Sequence, residues 1–139
     1  MTLHLIKLSV GSESVDSLAA WQAERLGSHG RLWHGTRMQP RRGEELLAGG
    51  SIYWVIKGAV QARQPLAGIE SDVDAEGRGF TRLLLQPGLV RVLPRGHRPF
   101  QGWRYLKPED APVDLPTGAE AAGDLPPALA AELRELGIL

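Results

Sequence analysis

Gly49-Gly50-Ser51-Ile52-Tyr53-Trp54-Val55-Ile56-Lys57-Gly58-Ala59-Val60-Gln61-Ala62-Arg63-Gln64 is the most apolar and most β-prone stretch of the chain. Side chains alternate along a strand, so Ile52, Trp54 and Ile56 share one face while Tyr53, Val55 and Lys57 share the other. With both faces largely apolar, this segment is predicted to be a central strand covered on both sides. Gly58 interrupts the run. A glycine inside a strand marks a bulge or a close backbone approach, so the strand is expected to bend there and resume through Val60, Ala62 and Gln64.

Around this strand, the composition describes one ordinary domain. A chain of 139 residues buries roughly two-thirds of its unfolded surface and folds without metal or disulfide staples. The absence of cysteine excludes disulfides, thiolate metal sites and thiol catalysis, and fits a reducing, cytoplasmic setting. Lys7 cuts the first apolar run too early for a signal peptide, and no other run approaches the ~20 residues of a membrane helix, so no membrane partner is expected.

Sixteen basic residues balance sixteen acidic ones, but unevenly. Residues 31–107 hold thirteen Lys or Arg against six Asp or Glu, whereas residues 108–139 hold one against seven. A basic body thus precedes an acidic tail. Thirteen of the sixteen basic residues are arginine, which suits bidentate contact with phosphate or carboxylate.

Leu3 to Val10 reads as a first strand. Ser12 or Ser14 can cap a helix whose apolar stripe is Val15, Leu18, Ala19, Trp21 and Leu26, with Trp21 as core filler and Gly27 as its stop. Leu32–Met38 reads as a short strand, and Gly43–Leu47 as a brief helix ending at Gly49 or Gly50. The acidic run Glu70–Gly77 reads as a solvated turn, Phe80–Leu85 as an antiparallel return strand and Leu89–Leu93 as another strand. Pro94–Pro108 mixes cations with aromatics without a period and reads as a functional loop. The expected fold is α+β: a small curved, mostly antiparallel sheet or partly open barrel with two or three flanking helices. Residues 1–112 form the α+β domain. Residues 113–139 supply an acidic linker, within a structureless stretch 108–123, and a C-terminal helix from Asp124 packed on the same domain.

No phosphate-cradling Gly-x-x-x-x-Gly-Lys, no Gly-x-Gly-x-x-Gly and no Gly-x-Ser-x-Gly elbow occurs. His4, His29, His34 and His97 lack the spacing of a zinc site, so neither metal nor cofactor is expected. Arginines beside Phe100, Trp103 and Tyr105 can neutralise phosphates and stack bases, or the rings can staple a loop to the core. The sequence therefore favours a non-enzymatic module that binds RNA or a nucleotide-like anion through Arg37, Lys57, Arg63, Arg98, Trp103 and Arg104. A small amidohydrolase-like enzyme on a modified nucleotide or nucleobase, using Thr36, Lys57 and Glu70, is the alternative. A protein-interaction module that engages acidic surfaces is a third.

His-Leu-Ile-Lys-Leu at 4–8, Thr-Arg-Met at 36–38, Gly-Gly-Ser-Ile-Tyr-Trp-Val-Ile-Lys-Gly at 49–58, Ala-Arg-Gln at 62–64 and Arg-Pro-Phe-Gln-Gly-Trp-Arg-Tyr-Leu-Lys-Pro-Glu-Asp-Ala-Pro at 98–112 resemble the bacterial domain-of-unknown-function family numbered 1489. The resemblance covers most of the chain up to Pro112. It implies a bacterial cytoplasmic protein and brings no activity. More loosely, a helix feeding a glycine-led strand amid basic loops is similar to PUA-like and ASCH-type RNA-binding modules, a likeness at the level of fold.

Overall fold

The computed structural model describes residues 2–98 and 100–115, so the helix expected from Asp124 lies outside the described residues. In chain order the elements are β1 (His4–Leu8), α1 (Val15–His29), β2 (Leu32–Thr36), α2 (Gly43–Leu47), β3 (Ser51–Ile56), β4 (Ala59–Val73), β5 (Gly79–Leu85), β6 (Val90–Gly96), β7 (Trp103–Leu106) and a 3-10 turn at Pro108–Asp110. The seven strands form one sheet in the order β2-β5-β4-β3-β1-β7, with β6 added beside β4. Among the described strands, only the β1–β3 pair is parallel. The fold is thus α+β with an open, largely antiparallel sheet, and α2 is only five residues long.

β3 is central, as its composition demands. Ile52, Trp54 and Ile56 enter the main core with Leu5, Leu18, Leu46 and Leu83, while Tyr53 and Val55 join a second cluster with Ile6, Val60 and Val92. The chain departs from expectation at Lys57-Gly58. There is no bulged continuation: Lys57 (φ 50°) and Gly58 (φ 80°) both take left-handed backbone and make a two-residue hairpin turn, pairing Ile56 with Ala59. Two successive positive φ values match the twist of the flanking strands, which is why such turns favour hairpins.

β4 then runs for fifteen residues, its first half pairing with β3 and β6 and its second with β5. Bending along β4 curls the sheet. In a flat sheet β2 and β3 would stand about 14 Å apart, three strand spacings of about 4.8 Å. His34 of β2 nevertheless meets Trp54 of β3 edge-on, with ring centroids 6.1 Å apart.

α1 begins in a capping box, the Ser14 and Ser17 hydroxyls each accepting the other's backbone N–H at 3.0 Å. It runs past Gly27 and stops at Gly30, whose φ of 77° supplies the left-handed cap. Its inward face is Val15, Leu18 and Gln22. Trp21, expected in the core, is 52% exposed instead. The reason is Gln22, which forms a reciprocal amide pair with buried Gln64 at 2.8 and 2.9 Å and rotates the helix one position away from the purely apolar stripe. Gln64 also accepts from Trp54 Nε1 at 3.2 Å and donates to the Gln86 carbonyl at 2.9 Å, so every polar atom of this buried amide is satisfied.

The expected long loop at 94–108 is shorter than its composition implied. Strand β6 extends to Gly96, and β7 pairs antiparallel with β1. Residues 111–115 are not a free linker either. Leu93 donates to the Val113 carbonyl, Leu115 donates to the Arg91 carbonyl, and Asp114 bridges to Val92 along β6.

Candidate functional site

The residues singled out from sequence do not assemble into one site. Trp103 is 6% exposed, with its indole N–H donating to the Met38 carbonyl at 2.7 Å, so no base can stack on it. Tyr105 is a staple as well: its hydroxyl accepts the backbone N–H groups of Arg41 and Arg42 at 2.9 and 3.1 Å. Arg37 is tied to Asp74 at 2.6 Å and to the Gly79 carbonyl. Arg63 grips Asp114 through two nitrogens, at 2.7 and 2.8 Å, and reaches the Ser51 hydroxyl. Lys57 is exposed at the hairpin turn, Arg98 is exposed in the loop before β7, and Arg104 lies 4.8 Å over the Phe100 ring.

About half of the basic body's cations, seven of thirteen, are ion-paired among the described residues. Glu70, Asp72 and Asp74 of the acidic run take Arg31, Arg82 and Arg37, so the run ends in the expected exposed turn but begins as paired strand with its carboxylates engaged. Among the described residues no hydrogen bond or ion pair joins Thr36, Lys57 and Glu70, and the strand pairing separates Lys57 from the other two. Lys57 precedes Ala59 at one end of β4 and Glu70 lies eleven residues further along the same strand, roughly 36 Å of contour. Thr36 accepts the Met38 N–H and has no base beside it among its hydrogen bonds.

A different set of side chains does converge. Where β1 ends and the chain turns into α1, Lys7, Ser9, Ser12, Trp21, His34 and Trp54 line a cleft of about 460 Å³. The volume falls in the ordinary range of small-ligand pockets, and the site is the mouth left where the curled sheet does not close. Lys7 points inward because it continues the alternation of Leu3 and Leu5 along β1. The residue is only 9% exposed, and none of the ion pairs among the described residues involves it. Burial draws its pKa below the ordinary lysine range. Ser9 donates to the Ser12 hydroxyl at 2.9 Å, placing two hydroxyls on the same rim.

Residues 5–139 match the model of a family described as a protein of unknown function, DUF1489. The chain belongs to the DUF1489 family. Membership extends past Pro112, so the acidic tail is part of the family pattern and not an appendage to it. No curated protein and no solved structure matches the chain at a significant level. Among the described residues of this DUF1489 chain, no helix is long and apolar enough to cross a membrane.

The electrostatics of the cleft centre on His34. Burial, then the charges of Lys7 and Arg25, lower its pKa from 6.5 to about 4, so the imidazole is neutral at pH 7. Arg25, from α1, also lacks a carboxylate partner among the described ion pairs, and its buried Nε has no hydrogen-bond partner. Lys7, unpaired among the described residues, and the neutral His34 ring thus face one hollow, an arrangement that costs stability and favours an anion.

The lowered His34 pKa has a definite sign in folding. Its proton is bound more weakly in the folded chain than in the unfolded one, so its contribution is complete above pH 6.5 and declines as pH falls towards 4. Urea denaturation at pH 7 and pH 4.5 should show a loss of about 2 kcal/mol from this group. A His34→Gln variant should lose that much less over the same interval; identical pH slopes in the two proteins would contradict the assignment.

Lys7, His34 and Trp21 were not candidates from sequence. For Lys7 a signal existed, since a charge in phase with Leu3 and Leu5 occupies an inward position. His34 and Trp21 join it only through the curl of the sheet and the rotation of α1.

Proposed function

We propose that the protein is a binding module for a nucleotide-like anion, and that the cleft between β1, β2, β3 and α1 is its site. The observation that carries this reading is Lys7: a lysine only 9% exposed, with no carboxylate partner among the described residues, lining a cavity of ligand size. Burying a lone charge is unfavourable, so its presence on an inward strand position is best explained by an anionic partner. Lys7 meets the phosphate, with the Ser9 and Ser12 hydroxyls as further donors. Trp21, exposed on the cleft wall, offers an indole face to a planar ring. His34, neutral, takes part as a hydrogen-bonding group and adds no charge. Recognition of RNA through the outer arginines is less favoured, because Arg37 and Arg63 are already ion-paired.

Calorimetric titration with AMP, adenosine and orthophosphate tests the reading. AMP is expected to bind, and adenosine at least about tenfold more weakly, since removing the charge forfeits roughly 1.4 kcal/mol or more. Lys7→Met should weaken AMP binding by a similar factor or more while leaving folding stability unchanged or raised by about 1 kcal/mol, because an unpaired buried charge is removed. Equal affinity of the two proteins for AMP, or no heat with wild type, would overturn it.

A further inference from the structure

Beyond the cleft, the surface carries an alternating ladder of rings and guanidinium groups. The Arg25 guanidinium lies 5.2 Å from the Trp21 ring centre and 5.0 Å from that of Trp33. Arg82 lies 5.1 Å from Trp33 and 4.8 Å from Phe80. One continuous strip therefore leads from α1 across the edge strand β2 to β5. By strand alternation Trp33, Phe80 and Arg82 share the face of the sheet opposite to His34 and Leu83.

Both ends of the ladder terminate in hollows. Trp21 borders the Lys7 cleft, and Phe80 with Trp33 borders a second hollow of about 310 Å³ whose floor is Gly35 and whose wall includes Thr36, Arg37 and Asp74. The Asp74 charge is answered by Arg37 at 2.6 Å, and that of Asp72 by Arg82 at 2.6 Å, so the acids at the far end do not repel an anion unopposed. The inner ring faces are occupied by guanidinium groups, which leaves the two terminal rings as the available stacking surfaces. Arg25, between Trp21 and Trp33 and with no carboxylate partner among the described residues, is the cation along the path.

We infer that the strip is a track for single-stranded nucleic acid, with one base on Trp21 in the cleft, another against Phe80 in the second hollow, and the intervening phosphates passing Arg25. Rigid rings separated by cations suit this ligand, because every base offers a stackable face and every linkage a charge. Four ladder steps of about 5 Å limit the track to roughly 20 Å, the reach of a short oligonucleotide. The inference rests on the nucleotide reading of the cleft and extends it from a mononucleotide to a strand.

Fluorescence anisotropy with labelled oligouridylates of about four and about eight nucleotides, compared with UMP as competitor, provides the test. The oligonucleotides should bind at least about tenfold more tightly than UMP, consistent with one added stacked base. Phe80→Leu should remove that advantage and leave UMP affinity unchanged, with circular dichroism confirming the fold. Arg25→Gln, which does not depend on Phe80, should flatten the dependence of log K on log salt by about 0.7. Oligonucleotides no tighter than UMP, or Phe80→Leu weakening both alike, would overturn the track while leaving the nucleotide site standing. Binding of neither ligand would remove both readings.

Discussion

Trp54→Ala is expected to destabilise the protein by ~3 to 5 kcal/mol, measured by chemical denaturation at neutral pH. Trp54 is 5% exposed on the central strand, and its removal costs apolar burial together with the cavity left between the two sides of the curled sheet. Gln64 Oε1 would lose the indole N–H, although Gln22 still donates to the same oxygen. Trp54→Phe retains most of the volume and should recover more than half of the loss, which separates packing from the hydrogen bond. A loss below ~1 kcal/mol for the alanine variant would contradict the central position of β3.

Gly50→Ala is expected to cost at least about 3 kcal/mol, an unusual penalty for one added methyl. A Cβ at Gly50 would lie 2.3 Å from the Leu46 carbonyl oxygen and 2.4 Å from that of Leu3, and both are backbone atoms that cannot swing aside. The same residue donates its N–H to Leu46 at 2.8 Å and accepts from Leu66 at 3.0 Å, so moving it disturbs the end of α2 and the start of β3 together. Its neighbour Gly49 is a useful contrast. Gly49 has φ of 97° with open space where a Cβ would go, so Gly49→Ala should show only the backbone strain of roughly 1–2 kcal/mol. If the two variants were equally stable, the close seating of α2 against β1 would be wrong.

Local pattern made part of this legible. Ile52, Trp54 and Ile56 declare a buried face by alternation and chemistry alone, and the serines at 12 and 14 bracket the start of α1, of which the structure uses Ser14. Lys57-Gly58 misleads because a lysine in left-handed backbone is uncommon, and the glycine alone is equally suited to a bulge. Trp21 misleads because helical spacing identifies an apolar stripe but not that a glutamine will be drawn inward. Gln22 is buried only because Gln64, forty-two positions away, offers a matching amide. The outer arginines mislead for a related reason: net charge counted along the chain does not show that Asp74 reaches Arg37 or that Asp114 reaches Arg63. The cleft is the extreme case. Its wall comes from β1, α1, β2 and β3, and the ladder needs Trp33 on β2 to receive Arg25 from α1, contacts that only the curled sheet creates.

The most direct test of the anion cleft is a titration of isotopically labelled protein with AMP, followed by amide, indole and imidazole NMR shifts. Binding in the cleft predicts that the largest changes fall on Lys7 to Ser12, the Trp21 indole and the His34 ring, with Arg63, Arg98 and Arg104 unmoved. Largest changes at those three arginines, or no change at saturating AMP, would contradict it.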